Sequence, residues 1–138
     1  MRTFDWNLRV YWEDTDAGGV VFYANYLKFF ERARTEWLRG LGVGQQQMGD
    51  QTGAVFIVCH TAVDYLQPAR LDDELLIKTE IARIGRASVE FVQQAWRGDA
   101  LLASGKIKVG CVDRLTFKPR PIPPVVTAAI QADQSYAR

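Results

Sequence analysis

The run from Tyr26 to Gly42 limits what this chain can become more than any other stretch. Tyr26, Phe29, Phe30, Ala33, Trp37 and Leu41 recur at helical spacing, and Lys28, Glu31, Arg32, Thr35, Glu36 and Arg39 take the opposite face. Arg32 and Glu36 are spaced to pair at i,i+4, with a weaker contact between Thr35 and Arg39. Gly40 and Gly42 supply the stop, and Asn25 is the residue type that caps a helix start. Burying five or six such side chains, most of them aromatic, is worth about 10 kcal/mol before conformational entropy is set against it. A helix of this kind has to be wrapped by the rest of the fold. The segment in front of it, WEDTDAGG (Trp12 to Gly19), is therefore held at a fixed place beside its start.

The wrapping material reads as strands. Phe4 to Glu13 alternates, with Phe4, Trp6, Leu8, Val10 and Trp12 on one side. After the helix, Gly40 to Gly53 carries five glycines and reads as a loop with at most one short helical turn, long enough to act as a cap or entrance. Four strand-like stretches follow: Ala54–Leu66, Leu75–Ile84, Ser88–Trp96 and Leu101–Asp113, the last with Leu101, Ala103, Ile107, Val109 and Cys111 inward. Gly85-Arg86 and Arg97-Gly98-Asp99 are hairpin connectors. KPRPIPP, from Lys118, is extended, and the last twelve residues form a short frayed helix or stay loose. Strand, long helix and four antiparallel strands make an α+β layer pair, one helix on one curved sheet, in one domain over residues 1–138.

Composition removes several function classes. A formal net charge of +1 gives no basic footprint for nucleic acid. No apolar run is long enough to cross a bilayer. The start, MRTFDWNLRV, has no continuous apolar region and carries Asp5, which argues against a secretory leader and for a cytoplasmic protein. Cys59 and Cys111 lie far apart in strand-like runs and read as buried free thiols. The one histidine, His60, is a strand residue without a histidine partner, so no metal site is expected.

The chemistry gathers in front of the helix. Glu13, Asp14 and Asp16 put three carboxylates within four residues. A solvated acidic turn is one reading. The other starts from Gly18-Gly19, which let another molecule approach the backbone, and from the helix N-terminus, which offers unsatisfied N–H groups and about half a positive charge. A carboxylate and a helix N-terminus across a glycine gap are the parts of an acyl-transfer site: the amides hold an oxyanion and the carboxylate attacks or activates water. Without a general acid such a site suits a good leaving group. A thiolate, from a thiol of pKa about 8.5, leaves unaided where an amine does not. Thioester hydrolysis is therefore favoured over amide hydrolysis.

The segment VYWEDTDAGGVVFYANYLKFFERARTEWLR, Val10 to Arg39, resembles the signature of the hotdog-fold acyl-CoA thioesterases. It is most similar to the Tol-Pal-associated thioesterase family, with 4-hydroxybenzoyl-CoA thioesterase a more distant relative. The resemblance continues in VDYLQPARLDDEL (Val63 to Leu75) and CVDRLTFKPRPIP (Cys111 to Pro123). It implies a hotdog fold, a long central helix wrapped by a curved antiparallel five-stranded sheet. It implies Asp16 as nucleophile or general base and the Tyr23 backbone N–H as oxyanion donor, with the helix starting a few residues ahead of Asn25. Gly19, Arg83, Arg86 and Ser88 match substrate contacts, the last three on the nucleotide side. No cofactor is implied, because coenzyme A belongs to the substrate, a small aliphatic or aromatic acyl-CoA. Partners implied are a second copy joined by sheet extension with active sites at the interface, two such dimers in a tetramer, and an acyl carrier protein. One departure stands out: close Tol-Pal-associated members often carry histidine where this chain has Tyr23, while the hydroxybenzoyl-CoA enzyme resembles this chain in having tyrosine there. Alternatives are a non-catalytic acyl-thioester or carrier-protein binding module and a 1,4-dihydroxynaphthoyl-CoA thioesterase. A hotdog dehydratase is disfavoured because it needs a histidine that His60 is poorly placed to supply.

Overall fold

The computed structural model describes residues 2–136. In chain order these form β1 (Thr3–Arg9), a 3-10 turn (Trp12–Asp14), α1 (Asn25–Gly40), α2 (Gln45–Thr52), β2 (Ala54–Tyr65), β3 (Glu74–Ile84), β4 (Ser88–Arg97), β5 (Ala100–Asp113) and α3 (Pro124–Tyr136). All five strands join one antiparallel sheet in the order β1-β3-β4-β5-β2, which leaves β1 and β2 as its edges. This is the expected strand–helix–four-strand order. Among the described residues no helix is long and apolar enough to cross a membrane.

α1 lies on the sheet as its stripe requires. Tyr26, Phe29, Phe30, Ala33 and Trp37 are buried against Leu75 and Ile77 of β3, Val89 and Phe91 of β4, and Ala103, Ile107 and Val109 of β5. Phe30 reaches the sheet because Gly105 stands beneath it: a Cβ there would sit 3.0 Å from Phe30 Cε2. The polar face pairs differently from its spacing. Arg39 bonds Glu36 at i,i+3, 2.6 Å, and the Thr35 hydroxyl donates to Glu31, so neither Arg32–Glu36 nor Thr35–Arg39 forms. The shorter i,i+3 reach captures Glu36 first.

The helix also buries a charge. Arg34 is four residues from Phe30, on the apolar stripe, and is 8% exposed. Its Nη1 donates to Gln93 Oε1 at 2.9 Å, and Gln93 Nε2 donates to the Phe30 carbonyl and Thr79 Oγ1 at 2.9 and 2.8 Å. Burial lowers the Arg34 pKa, which the nearby Glu31 charge partly offsets. Gln93 thus joins helix, sheet and guanidinium through one amide. Gln93→Leu is expected to cost about 2–3 kcal/mol, since hydrogen bonds to charged groups are the strong ones. Urea unfolding should show a lower midpoint at unchanged slope; a loss under a few tenths of a kcal/mol would mean that water serves Arg34 instead.

Several expectations are corrected. β1 stops at Arg9, and Trp12, expected on the inward face, is 79% exposed. The chain leaves the sheet after Val10 and coils so that Asp14, not Trp12, turns inward. Leu102 rather than Leu101 is fully buried, because the β4–β5 register shifts between Ala95 and Trp96. Cys111 is buried, but Cys59 is exposed. Cys59 is the unpaired residue of a bulge between Val58 and His60, which swings it out of the alternation. The Gly40–Gly53 stretch contains the eight-residue α2, ended by Gly53 in the left-handed region at φ 77°. Of the two readings of the C-terminal stretch, the helix holds, and with 13 residues it starts earlier, at Pro124, than the twelve-residue stretch expected. Pro124 opens it, Val126 and Ile130 are buried, and Trp37 Nε1 donates to Asp133 at 3.1 Å.

Candidate active site

The loop ahead of α1 is built around Asp14. Its Oδ2 accepts the Tyr11 N–H at 2.8 Å and its Oδ1 accepts Asn25 Nδ2 at 2.7 Å. Its carbonyl accepts the Phe22 N–H at 3.0 Å. One buried carboxylate therefore fastens the exit of β1 to the first residue of α1. This is why Asn25 is not the helix cap: the cap position is Ala24, and the Asn25 side chain is committed to Asp14. Asp14→Ala would strip the acceptor from the buried Asn25 amide and the part-buried Tyr11 N–H. Thiol release should then fall more than tenfold, chiefly in kcat, with stability reduced by about 2–4 kcal/mol. A variant with full kcat would free the loop geometry from Asp14.

Between these fixed points the chain makes a short hairpin. Thr15 pairs with Val21, the Asp16 N–H donates to the Val20 carbonyl at 2.9 Å, and Gly19 turns at φ 78°. Val21 N–H to Ala69 O and the Val20–Arg70 bridge dock the hairpin on the segment before β3. Asp16 is exposed at its head. Its Oδ1 accepts the Gly18 N–H at 2.8 Å, and it makes no ion pair with a described cation. A Cβ at Gly18 would stand 3.2 Å from that oxygen, so the glycine keeps the carboxylate uncrowded. The other oxygen, Oδ2, has no partner among the described residues.

Tyr23 sits in a single turn closed by Asn25 N–H to Phe22 O at 2.8 Å, so the α-helix proper begins after it, not before. Its backbone N–H has no acceptor among the described residues. Its ring is 63% exposed and lies 4.9 Å from Phe22 and 6.0 Å from Tyr65. A cleft of about 230 Å³ runs beside it, walled by Val21, Tyr23, Tyr26, Tyr65 and Leu66. Asp16 stands next to that wall through the Thr15–Val21 pairing.

The three residues that the resemblance puts on the nucleotide side, Arg83, Arg86 and Ser88, lie elsewhere. Arg83 pairs with Glu90 at 3.9 Å, Arg86 is exposed in the β3–β4 hairpin, and the Ser88 carbonyl accepts the Gly85 N–H at 2.7 Å. The Asp16 loop meets the Glu74 end of β3, where Val10 N–H bonds Asp73 O, while Arg86 follows its far end. The 11 residues of β3 separate the two by roughly 35 Å. One protomer therefore does not bring Asp16 and Tyr23 together with Arg83, Arg86 and Ser88. His60 is exposed on β2, as a solvent-facing strand residue is. Sequence reasoning missed Asp14 as the buried member of the acidic cluster and missed Arg34, although its place on the apolar stripe was a usable signal.

The family model described as the thioesterase-like superfamily matches residues 10–130. The chain belongs to the thioesterase-like superfamily. It is 45% identical over 126 residues to the acyl-CoA thioesterase YbgC of Haemophilus influenzae, covering 91% of this chain and 93% of that one. Among solved structures, a probable thioesterase from Bartonella henselae superposes with a TM-score of 0.83 at 35% identity, covering 88% of this chain and all of that one, 100%. A DHNA-CoA thioesterase from Staphylococcus aureus superposes with a TM-score of 0.90 at 23% identity, covering 98% and 93%, and speaks for the fold alone. The resemblance to the Tol-Pal-associated thioesterases holds, and the architecture is the hotdog fold of this superfamily.

Proposed function

We propose that the acyl-CoA thioester hydrolase activity of this chain is carried by Asp16 and the Tyr23 backbone N–H, acting on small acyl-CoA substrates in a site shared by two protomers. The hydrolase class itself follows from the superfamily and from relatives at 45% identity over 91% of the chain. The observation that carries the mechanism is the pairing of a half-tethered carboxylate with a free amide. Gly18 holds Asp16 Oδ1 and leaves Oδ2 unpartnered, and the Tyr23 N–H has no internal acceptor. The thioester carbonyl oxygen accepts the Tyr23 N–H, and Oδ2 attacks the carbonyl carbon or removes a proton from an attacking water. The C–S bond breaks and coenzyme A leaves as thiolate, which needs no general acid. In the covalent variant, water then cleaves the acyl-aspartyl anhydride.

The second protomer supplies what one chain keeps apart. β2 is a 12-residue edge strand with Ile57 and Val58 39% and 50% exposed, an unprotected edge of the kind that pairs. The other edge, β1, is shorter and turns Asp5, Asn7 and Arg9 to solvent. The Ala54 end of β2 lies toward Ser88, since both flank β5 near Asp113 and Gly110, and its Tyr65 end lies at Tyr23. Two-fold antiparallel pairing of β2 with its copy sets the Arg86–Ser88 side of one protomer beside the Asp16 loop of the other. Coenzyme A phosphates then meet Arg83 and Arg86 across the seam.

The test is thiol release from acetyl-, butyryl-, benzoyl- and palmitoyl-CoA, with an acyl carrier protein thioester as a second carrier. Turnover of the small esters is expected, with palmitoyl-CoA slowest. Tight binding of every ester with no thiol released would replace the enzyme by a binding module.

A further inference from the structure

The hairpin that carries Asp16 is loose inside and firmly supported from outside. Gly18 and Gly19 give its head a backbone with little resistance to bending. Its place is therefore set by what it docks on. Beyond Asp14, that is residues 66–73, the connection from β2 to β3. Val21 N–H donates to Ala69 O at 2.8 Å, and Val20 bridges Arg70. Tyr23 follows Val21 by two residues. A shift of Ala69 is thus passed to both the carboxylate and the amide of the site.

Residues 66–73 belong to no helix or strand, so side chains have to hold them. Ala69 is fully buried, and Tyr26 Oη, from the first turn of α1, accepts its N–H at 3.3 Å. Arg97 Nη1, at the end of β4, donates to Pro68 O at 3.2 Å and to Asp73 Oδ2 at 2.8 Å. The same Asp73 oxygen accepts the Arg70 N–H at 2.9 Å. Both chain neighbours of Ala69 are therefore tied to one ion pair, and its own amide is tied to Tyr26. The chain reaches Asp73 by turning at Asp72 with φ 72°, a conformation that a non-glycine residue keeps only where its surroundings hold it. Here Val10 O accepts the Asp72 N–H at 3.1 Å, and Asp72 O accepts Arg9 Nη1 at 2.7 Å. Neither Arg97 nor Asp73 lines the cleft beside Tyr23.

We propose that the Tyr26 hydroxyl and the Arg97–Asp73 pair are positioning groups for the hydrolysis: through Ala69 they hold Val21, and with it the spacing between Asp16 Oδ2 and the Tyr23 N–H. This role presupposes the Asp16–Tyr23 chemistry above and adds the bracket that keeps it in register. Its effect falls on turnover more than on binding. Coenzyme A is gripped by Arg83 and Arg86 at the far end of a sheet, whereas attack on the carbonyl depends on the separation of reacting atoms, where a misplacement of about 1 Å costs on the order of a hundredfold. The two supports also differ in strength. The Tyr26–Ala69 bond is neutral and long, while the Arg97–Asp73 bond is charge-assisted and the pair fastens Pro68 and Arg70 together.

The experiment measures kcat and KM for butyryl-CoA, and amide hydrogen exchange, in Tyr26→Phe, Arg97→Met and Arg97→Lys. Tyr26→Phe keeps the buried ring and removes only the acceptor. Arg97 is part-exposed, so its variants keep the core intact even if Tyr26→Phe fails to fold. Both Tyr26→Phe and Arg97→Met should lose about tenfold or more in kcat, Arg97→Met the more, with KM moved by less than about threefold. Arg97→Lys, which keeps a charged donor for Asp73, should lie between Arg97→Met and wild type. Exchange at the Val21 N–H should quicken at least about tenfold in both while the amides of Phe29 and Phe30 stay slow. Gln93→Leu serves as the control: it loses stability far from the bracket and should hold kcat within about twofold. An unchanged kcat with thiol release intact, a loss confined to KM, or an equal loss in Gln93→Leu would overturn the positioning role and leave hydrolysis standing. So would Arg97→Lys as slow as Arg97→Met, or unaltered exchange at Val21. Absence of thiol release in the wild-type protein would strike at the enzyme reading instead, and the exchange measurement would still decide whether the bracket holds the hairpin.

Discussion

Asp16→Asn is expected to lower thiol release by about a thousandfold, within the range that a positioned acid–base or nucleophilic group supplies, and to leave the fold intact. The substitution separates chemistry from structure cleanly. Asp16 sits exposed at a hairpin head, forms no ion pair with a described cation, and contributes one internal hydrogen bond, from Gly18 N–H to Oδ1. An asparagine keeps an oxygen in that place. What it loses is the second carboxylate oxygen, the one with no partner. The thermal midpoint should move by no more than a degree or two, and acyl-CoA affinity, read by titration of the inactive variant, should persist. A variant retaining more than a tenth of the wild-type kcat would transfer the chemistry to another group, with Glu13, exposed in the same loop, first in line.

Val58→Lys is expected to separate the protomers and, with them, the activity. Val58 is half exposed on the open edge, one residue before the bulge at Cys59. A lysine there faces its own copy across a two-fold, and like charges in a closing interface oppose assembly. Because Arg83, Arg86 and Ser88 lie at the opposite end of the sheet from Asp16, the separated chain would hold only half of the proposed shared site. Sedimentation should report a monomer at micromolar concentration, and kcat/KM should fall at least a hundredfold, mostly through KM. A monomer of undiminished kcat/KM would mean that each chain carries a whole site, and the Arg83–Ser88 hairpin would lose its assigned role.

How far the sequence alone carried the reading depends on which forces act locally. The α1 stripe and the alternation in β3 and β4 are periodic signals, and the buried residues Phe29, Phe30, Ile77, Val89 and Phe91 fall where the period puts them. Asp16 and Tyr23 are named as candidates by a motif that fixes them along the chain, and the structure adds only their surroundings. Asp14 was not, since its burial follows from Tyr11 and Asn25 closing on it from either side, a tertiary event. Arg34 reads as surface by residue type, and only its partner Gln93, 59 positions away, explains its burial. Cys59 was misplaced by one bulge, which no composition rule reveals. α2 hid behind glycines and α3 behind prolines, although Pro124 is where a helix tolerates one.

The span of roughly 35 Å between the hairpin bearing Arg86 and the loop bearing Asp16 has a thermodynamic corollary. A ligand gripped at one extremity by one chain and at the other by its mate acts as a rivet, so occupancy and association are linked functions. Saturating coenzyme A should tighten the monomer–dimer equilibrium by the same factor that association tightens the ligand, and dilution should bleach activity later when product accumulates than when it is swept away.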